Sequence, residues 1–576
     1  MTQWNGTVIK TVPFFIQLNS LVPFMKNSII LSLLLTFATL ACLAAPAKHV
    51  RKYLTLKDGT KVMATLTGDE NGHWYIDDQG RALAEDSLGI AYYISSNNLK
   101  AHKAAKKERM AQRNNNRKTR IANAKAITRS SDVASTSAYT GDKKGLIILV
   151  NFKDKKFTYT REDFDALANQ KGYDKYGAIG SLSDYFRDQS YGKLNLQFDV
   201  VGPFELSNKI SYYGTNENGK GDDTLPGDMI IEAVRLADKQ VYFPDYDWNH
   251  DGKVDQVYVV YAGYSEEQGA PSWTMWSHEW DLESAYYYNN SSEGSIRLDN
   301  VWIDTYACSS ELKNSSGTIM SGIGTMCHEF SHCLGLPDLY DTNDVGFGMS
   351  SWSVLDNGSY NEDGDIPCGY TSYERWMAGW LEPIQLTTNT SVTGMKAITD
   401  SPEAYVIYND ANPNEYFLLE NRQLNSWDIK GEGHGMLVLH VDYDEDLWYD
   451  NKVNEDSYHQ HLTIFNADNK ADQTSLSGDP YPGTSRNTSL TDTSRPAAKL
   501  FSPNKNGKLF MQKPITNISE TSDGLINFTF TNLYPSTGIT DFLSNGAAHP
   551  KVFSPSGIYL GTNPESIPQG PYKVVK

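Results

Sequence analysis

The sequence lacks the repeated hydrophobic stretches of a polytopic membrane protein and the extreme composition of a disordered one. Of its 576 residues, 39% are hydrophobic and 21% are charged, which is ordinary globular usage. Positive charge is in the minority: 51 Lys and Arg stand against 70 Asp and Glu, a formal net charge of −19. Because nucleic acids are polyanions, this balance argues against a nucleic-acid partner. The length exceeds what one hydrophobic core usually serves, so several domains are expected.

Motifs of several enzyme classes are also missing. The chain has no G-x-S-x-G elbow for a nucleophilic serine and no glycine-rich loop of the kind that cradles phosphate. Cysteine is scarce, with five residues, of which Cys42 lies in an N-terminal apolar run. The other four allow up to two disulfides in an exported chain: Cys308, Cys327, Cys333 and Cys368.

That apolar run, SIILSLLLTFATLACLAA at 28–45, follows Met25-Lys26 and ends in Ala-Pro-Ala. A short positive start, an apolar stretch and a small-residue exit are typical of a signal peptide, with an N-terminal anchor as the alternative. We therefore predict an upstream extension at 1–24 and a signal peptide at 25–47. The protein is expected to be secreted or held at the cell surface, with no stable membrane span after signal removal.

Residues 48–140 are interpreted as a propeptide with a basic linker. From about 53 to 99, alternating polar and apolar residues are interrupted by turn signals, which predicts a small β-meander. The stretch KAAKKERMAQRNNNRKTR and the Ser/Thr-rich residues after it have the composition of a connector. An accessory domain that stays attached is the alternative. No cysteine lies between Ala45 and Cys308, so a latency device would use Asp69, Glu70 or His73, or steric blockage of the cleft.

The remaining chain divides by its patterning. Residues 145–385 alternate apolar strands such as LIILVNF with segments of helical spacing, which predicts an α/β domain. At 386–530, short runs of strand composition separated by Gly, Asn, Asp and Pro predict an all-β domain. The tail at 531–576 is loop-rich with a hairpin-like end and loosely resembles a C-terminal sorting segment. The fold class expected is multidomain α+β.

The segment TMCHEFSHCLGLPDLYD carries the chemistry. His328 and His332 lie four apart, so on a helix they share one face and bind one zinc ion through their imidazoles. Glu329 beside them is placed to act as general base towards an activated water. Gly335 permits the positive φ of a helix C-terminus, so the chain turns and Asp338 is positioned to return to the metal.

The pattern HExxHxxGxxD followed by LYD resembles the immune inhibitor A-like metallopeptidases, a metzincin-related group of secreted zinc endopeptidases. Further segments resemble that family over roughly 145–500, among them GLIILVNFKDKKF, DWNHDGKVDQVYVVYAG, WSVLDNGSYNEDGDIPCGYTSYERWMAGWL and GHGMLVLHVD. The resemblance implies a metzincin-like catalytic domain with an HExxH active-site helix, a zinc ligand set of His328, His332 and Asp338, and Glu329 as catalytic base.

Two departures from the family pattern bear on the site. Metzincins carry a methionine in a tight turn beneath the metal, where this chain has Leu355, with Met349 six residues earlier. Leucine is similar in volume, so the floor of the site is expected to survive. The third ligand is Asp338 rather than the commoner histidine. Glu374 is a rival third ligand of the thermolysin kind, although the Gly335 turn has no purpose in that scheme.

Other groups of residues have the composition of metal sites. The loop DWNHDGKVD offers oxygens from Asp247, Asn249, Asp251 and Asp255 at calcium-loop spacing, with a solvated turn as the alternative. A second site at His434, His440 and Asp442 is a weaker prediction, because core histidines with hydrogen bonds explain the same pattern. The pair His278-Glu279 fits a packing role at least as well as a place in the cleft, and Glu420-Asn421-Arg422 is interpreted as a buried ion-pair network.

The sequence therefore predicts a secreted zinc endopeptidase acting on proteins or peptides, with zinc and structural calcium. The alternatives are a non-catalytic adhesin or glycan-binding protein on a degenerate metallopeptidase scaffold, and a zinc hydrolase of small substrates. Retention of Glu329 argues against the first alternative.

Overall fold

The computed structural model describes residues 47–48, 50–86, 88–107, 139–216, 223–288, 290–313, 318–342 and 346–534, and the backbone of 551–553, 559–561 and 573–575. The predicted upstream extension, nearly all of the signal peptide and most of the predicted linker (residues 108–138) lie outside these ranges. Within them, each helix is too short or too polar to cross a membrane.

The N-terminal part is an antiparallel five-stranded meander in the order in which the strands occur. Its strands are β1 Arg51–Thr55, β2 Lys61–Asp69, β3 Gly72–Asp77, β4 Ala82–Glu85 and β5 Ala91–Tyr93. Tight turns fall at the predicted signals, where Gly59 and Gly80 adopt positive φ. The β-pattern predicted for this stretch is present, and residues 96–107 continue it as a helix.

A mainly parallel sheet forms the centre of the fold, in the order β13-β12-β8-β6-β7, with β9 paired to β12. Its strands are β6 Gly141–Asn151, β7 Leu194–Glu205, β8 Val257–Tyr264, β9 His278–Asp281, β12 Thr305–Lys313 and β13 Ile319–Met320. A separate ribbon pairs β10 Ile296–Leu298 with β11 Val301–Ile303. The run LIILVN in β6 is buried throughout, as a strand covered on both faces requires.

Helices pack on the central sheet, and short helices also occur in the rest of the chain. They are α1 Arg161–Asn169, α2 Leu182–Gln189, α3 Ile210–Tyr213, α4 Pro226–Ala237, α5 Leu282–Tyr288, α6 Gly324–Cys333, α7 Ser372–Met377 and α8 Glu445–Tyr449. Capping boxes begin α1, α2 and α7, where the side chains of Thr160, Ser181 and Thr371 accept from backbone amides. Short 3₁₀ turns occur at 175–177, 243–246, 266–268, 350–352, 357–364, 426–428 and 476–478.

The C-terminal part is mainly β, although helix α8 departs from the all-β domain predicted for it. One sheet has the order β14-β16-β17-β18-β19, from Ile384–Gln385, Tyr405–Asn409, Asn412–Arg422, Gly435–Asp442 and Leu462–Ile464. A second has the order β15-β21-β20, from Thr390–Met395, Ile526–Phe530 and Ile515–Glu520. The tail forms β22 Lys551–Phe553, β23 Tyr559–Gly561 and β24 Lys573–Val575.

The main hydrophobic core joins the two halves of the molecule. A single cluster of buried side chains runs from Leu149 in β6 through Phe330 in α6 to Leu418 in β17 and Leu437 in β18. The boundary predicted at 385/386 therefore does not coincide with a break in the core. The predicted buried ion-pair network is present: Arg422 donates to Glu420 and Asp428, each at 2.7 Å. The architecture is a multidomain α+β mixture of sheets with few helices.

Candidate metal centre

Helix α6 carries His328 and Glu329, which are buried, and His332, which is partly exposed. The two histidines are one turn apart, so their rings approach each other, with centroids 4.6 Å apart and planes at 89°. Phe330 on the same helix packs into the main core and fixes the position of α6 against the sheet. The helix thus presents two imidazoles and a carboxylate at one place.

The turn after α6 ends the helix and also orients His332. The amide of Gly335 donates to His332 O and that of Leu336 to Ser331 O, the two bonds of a Schellman motif. Gly335 adopts φ +87° with open space around it, so glycine is needed for the backbone conformation and not for room. The same turn brings Leu336 O to 2.8 Å from His332 Nδ1. The role predicted for Gly335 is confirmed.

Backbone carbonyls fix which imidazole nitrogen carries a proton. His328 Nδ1 lies 2.8 Å from Val354 O, and His332 Nδ1 makes the matching contact to Leu336 O. A carbonyl oxygen only accepts, so each Nδ1 is the donor and each neutral ring keeps a lone pair on Nε2. Histidines that bind a metal through one ring nitrogen usually donate the other to a carbonyl or carboxylate oxygen in this way.

Three lone-pair atoms converge at the centre of the site. The two Nε2 atoms lie 3.1 Å apart. Asp338 Oδ1 is 3.3 Å from His328 Nε2 and 3.1 Å from His332 Nε2. Tetrahedral zinc with bonds of roughly 2.0–2.1 Å places its ligand atoms about 3.3–3.4 Å apart. Atoms this close need a proton or a metal ion among them, and two imidazole nitrogens with one carboxylate oxygen are a donor set that fits zinc.

Asp338 is a charged carboxylate, and only one of its two oxygens accepts hydrogen bonds from neighbouring side chains. Its Oδ2 accepts from Tyr340 OH at 3.0 Å and from Asn451 Nδ2 at 2.5 Å. Its Oδ1, which faces the two histidines, has no hydrogen-bond partner among the described residues. Against the effect of burial, the positive charge of His332 lowers the pKa of Asp338 below its usual range. The sequence predicted Asp338 as a ligand but not its partners Tyr340 and Asn451.

Glu329 completes the group, with a carboxylate oxygen within 4.8 Å of a ring nitrogen of each histidine. Its Oε1 is buried without a hydrogen-bond partner among the described residues. Burial raises the pKa of Glu329 well above its usual range; the charge of His332 opposes this, and that of Glu70 adds to it. A carboxylate with an unengaged oxygen beside a metal position is equipped to exchange a proton.

The rival ligand Glu374 lies elsewhere in a different role. Glu374 lies in the first turn of α7, where Thr371 and Glu374 form a capping box, and Ser353 Oγ donates to Glu374 Oε1 at 2.6 Å.

The segment at the methionine-turn position supports the site through its backbone. Val354 O accepts a hydrogen bond from His328 Nδ1, and Leu355 O accepts one from the amide of Leu339 at 2.9 Å. Since these are carbonyl contacts, leucine in place of methionine leaves them intact.

The N-terminal meander contacts the neighbourhood of this site. His73 forms an ion pair with Glu266 at 2.9 Å and stacks on Trp276, with centroids 4.4 Å apart. The amide of Lys48 donates to Glu267 O at 2.8 Å. Of the three candidate latency residues, Asp69 pairs with Lys106 at 2.7 Å, while Glu70 is the one whose charge acts on Glu329.

A second group of metal-ligand types differs from the predicted one. His434 pairs with Glu520 and His440 with Glu415. Asp442 instead meets His459 at 2.8 Å, with His461 beside it. The His459 and His461 rings are stacked, with centroids 4.0 Å apart and planes at 11°. Lone pairs in nearly parallel planes do not converge on one ion, so this cluster is explained by stacking and hydrogen bonding.

The predicted calcium loop is a compact turn closed by its own amides. Asp247 accepts from the amides of Asp251 and Gly252 at 3.1 and 2.9 Å, and Asn249 Oδ1 accepts from Asp251 at 3.0 Å. Within the described ranges, its acidic groups do not form a set with ligand atoms within 4.8 Å of one another. Calcium binding by this loop stays a prediction without support from the geometry.

Two other expectations concern buried side chains. Cys308, Cys327, Cys333 and Cys368 are all free thiols, so neither of the two possible disulfides is present. His278 is buried in β9, with Nδ1 2.9 Å from Trp276 O and Nε2 3.1 Å from Tyr306 OH. It therefore has the packing role, and both of its nitrogens are engaged.

Comparison with known proteins supports the motif-based resemblance. Residues 134–383 match the profile of the immune inhibitor A peptidase M6 catalytic domain. The chain is 26% identical to immune inhibitor A of Bacillus thuringiensis subsp. alesti over 274 residues, which is 39% of this chain and 38% of that protein. It is 25% identical to the pre-pro-metalloprotease PrtV of Vibrio cholerae over 270 residues, 41% of this chain and 28% of PrtV.

A protein of Arthroderma benhamiae named as a secreted metallopeptidase is 23% identical over 207 residues, 32% of this chain and 30% of that protein. The chain thus matches less than two fifths of the length of each of these relatives. The matched region contains His328, Glu329, His332 and Asp338. Residues 134–383 thus match the catalytic domain of the immune inhibitor A peptidases of family M6, and the curated relatives support that family.

Proposed function

We propose that the protein is a secreted zinc-dependent endopeptidase that hydrolyses peptide bonds of extracellular proteins. The observation that carries the proposal is the convergence of three lone-pair atoms, from His328, His332 and Asp338, within 3.1–3.3 Å of one another. These residues would hold the metal in a metzincin-like catalytic domain. The match to the peptidase M6 catalytic domain supports peptide-bond hydrolysis, and the name of the Arthroderma relative supports export.

A bound zinc ion supplies Lewis-acid chemistry: it polarises a scissile carbonyl and lowers the pKa of a water molecule to about 7. The protein's own contribution is the placement of Glu329. Its unengaged Oε1 accepts the proton of the attacking water and then delivers it to the departing amine. The Nδ1–carbonyl bonds of His328 and His332 hold both rings still during this exchange.

The N-terminal meander is proposed to act as a propeptide that covers the cleft until the linker is cut. Its contacts with Glu266, Glu267 and Trp276 support this assignment, as does the effect of Glu70 on Glu329. Structural calcium at Asp247–Asp255 is kept as a weaker proposal that rests on spacing.

The test is digestion of a protein mixture by the purified, linker-cleaved enzyme, with cleavage sites identified by mass spectrometry. The proposal predicts internal cuts that stop when a chelator removes zinc and resume when zinc is returned. Cleavage that persists in the metal-free protein would contradict it. Binding to glycans or surfaces without any cleavage would favour the adhesin alternative, and hydrolysis confined to small substrates would favour the other.

A further inference from the structure

We propose that Asn451 is a positioning residue for Asp338, so that the metal centre depends on a segment of the C-terminal region. This inference rests on the proposed function, because it concerns the same centre. Asn451 lies beyond the end of the family match at residue 383 and follows helix α8. It reaches Asp338 across a sequence separation of 113 residues.

The contact between the two residues is a two-point grip. The backbone amide of Asp338 donates to Asn451 Oδ1 at 2.7 Å, and Asn451 Nδ2 donates to Asp338 Oδ2 at 2.5 Å. One bond therefore fixes the backbone of Asp338 and the other fixes its carboxylate. A primary amide supplies both an acceptor and a donor at this spacing, which neither a hydroxyl nor a carboxylate does in the same way.

The same contact determines which carboxylate oxygen of Asp338 remains available to a metal. Asn451 and Tyr340 both donate to Oδ2 of Asp338. Oδ1 has no hydrogen-bond partner among the described residues and lies 3.1–3.3 Å from the two histidine Nε2 atoms. With Oδ2 occupied, the carboxylate is held with Oδ1 towards the histidines. Partners of this kind orient metal ligands and tune their affinity.

The segment that carries Asn451 is itself anchored to the metal-binding turn. Three residues further on, Asn454 is fully buried, and its Nδ2 lies 2.7 Å from both Leu339 O and Leu462 O. Leu339 is the neighbour of Asp338, and Leu462 begins β19. Two asparagines from the C-terminal region thus hold consecutive residues of the turn, so the grip does not depend on a loose loop.

A simpler explanation for Asn451 exists and makes a different prediction. Asn451 has φ 54° and stands directly after the C-cap Asp450 of α8, where the amide of Lys452 bonds Leu447 O. This is a Schellman motif, whose left-handed position favours glycine and accepts asparagine. If the backbone were the whole reason for this asparagine, glycine would serve equally well. If the grip matters, glycine keeps the turn and loses the metal affinity.

The test measures zinc affinity of the full chain by competition with a chromophoric chelator. Asn451→Gly is expected to weaken zinc binding about 10–100-fold. The variant should stay folded in excess chelator, because glycine suits the left-handed backbone, although the two lost hydrogen bonds lower its melting temperature. Asn469→Gly is the matched control, since Asn469 also has positive φ, is exposed and lies outside the metal centre. Its zinc affinity should equal that of the wild type.

Each outcome has a distinct meaning. Wild-type zinc affinity in Asn451→Gly, in a protein that binds zinc, would overturn this inference and leave the proposed function standing. An equal loss in both glycine variants would also overturn it, since the effect would then be unrelated to Asp338. A wild-type chain that holds no zinc would remove the proposed function and this inference together.

Discussion

His328 Nε2 and His332 Nε2 lie 3.1 Å apart, and the Nδ1 atom of each ring donates its proton to a backbone carbonyl oxygen. Two facing lone pairs are unfavourable at this distance, and the Oδ1 of Asp338 adds a third. A proton or a metal ion among these atoms removes the repulsion, and zinc binding at this position has several consequences that can be measured.

Zinc removal is expected to lower the melting temperature of the protein. A ligand that binds the folded state alone stabilises it by mass action, by about 4 kcal/mol when free zinc is about 1,000 times its Kd. Thermal melts with and without a zinc chelator measure the effect. His332→Ala should melt at one temperature in both conditions, because it lacks an imidazole of the site. A chelator-independent melt of the wild type would contradict the site.

Asp338→Ala should lower zinc occupancy, whereas Glu374→Gln should retain it. The reason is that Asp338 faces the histidines, while Glu374 caps α7 and accepts from Ser353. Glutamine is chosen because it keeps a side-chain acceptor for the capping box. Elemental analysis after dialysis decides the matter. Loss of zinc in the Glu374 variant alone would assign the third ligand to Glu374.

The proposed calcium loop predicts a pH-dependent stability. Burial raises the pKa of Asp255 to about 7, and the charges of Asp251 and Asp247 act in the same direction. Because the unfolded pKa is about 3.9, this group's contribution is fully present below pH 4 and is lost as pH rises through 7. Calcium, which favours the carboxylate, should flatten this dependence.

Urea unfolding between pH 4 and 8, with and without calcium, measures this effect. The variant Asp255→Asn, which carries no titrating group at that position, should show less of the pH dependence and no response to calcium. A wild-type stability profile that calcium leaves unchanged would count against calcium at this loop.

The latency of the uncleaved protein should depend on the contacts between the N-terminal meander and the residues it packs against. The uncleaved chain is expected to be nearly inactive towards peptides, and cutting within 108–138 should activate it. His73→Ala removes the ion pair with Glu266 and the stacking on Trp276, so activity of the uncleaved chain should rise several-fold. Peptide hydrolysis before and after limited proteolysis measures both effects.

The control for that experiment is Arg51→Ala. Its partner Asp78 belongs to the same meander, and both side chains are more than half exposed. Exposed pairs contribute little, so this variant should stay as latent as the wild type. Equal activity of intact and cleaved wild-type protein would instead identify the meander as an accessory domain or a folding aid.

The parts of the site that the sequence predicted are those set by local geometry. The i, i+4 spacing of His328 and His332 and the glycine at 335 act within a few residues, so their consequences follow from helix geometry. The central strands were predictable for a similar reason, since apolar runs such as that of β6 are buried on both faces.

The parts that were missed depend on contacts between distant segments. Asn451 is visible in the sequence only as a residue suited to end a helix, and its contact with Asp338 is set by packing of the C-terminal region. The same limit explains the second histidine cluster. Asp442 was grouped with its sequence neighbours His434 and His440, whereas the fold places it beside His459.

The most direct test of the account compares wild type with Glu329→Gln after cleavage of the linker. Both proteins are analysed for zinc and assayed on the same peptide. The account predicts equal zinc content, since the three proposed ligands are untouched, and a fall in hydrolysis by about 10²–10⁴-fold, because general base catalysis is lost. Hydrolysis at the wild-type rate by the zinc-loaded variant would contradict the central claim.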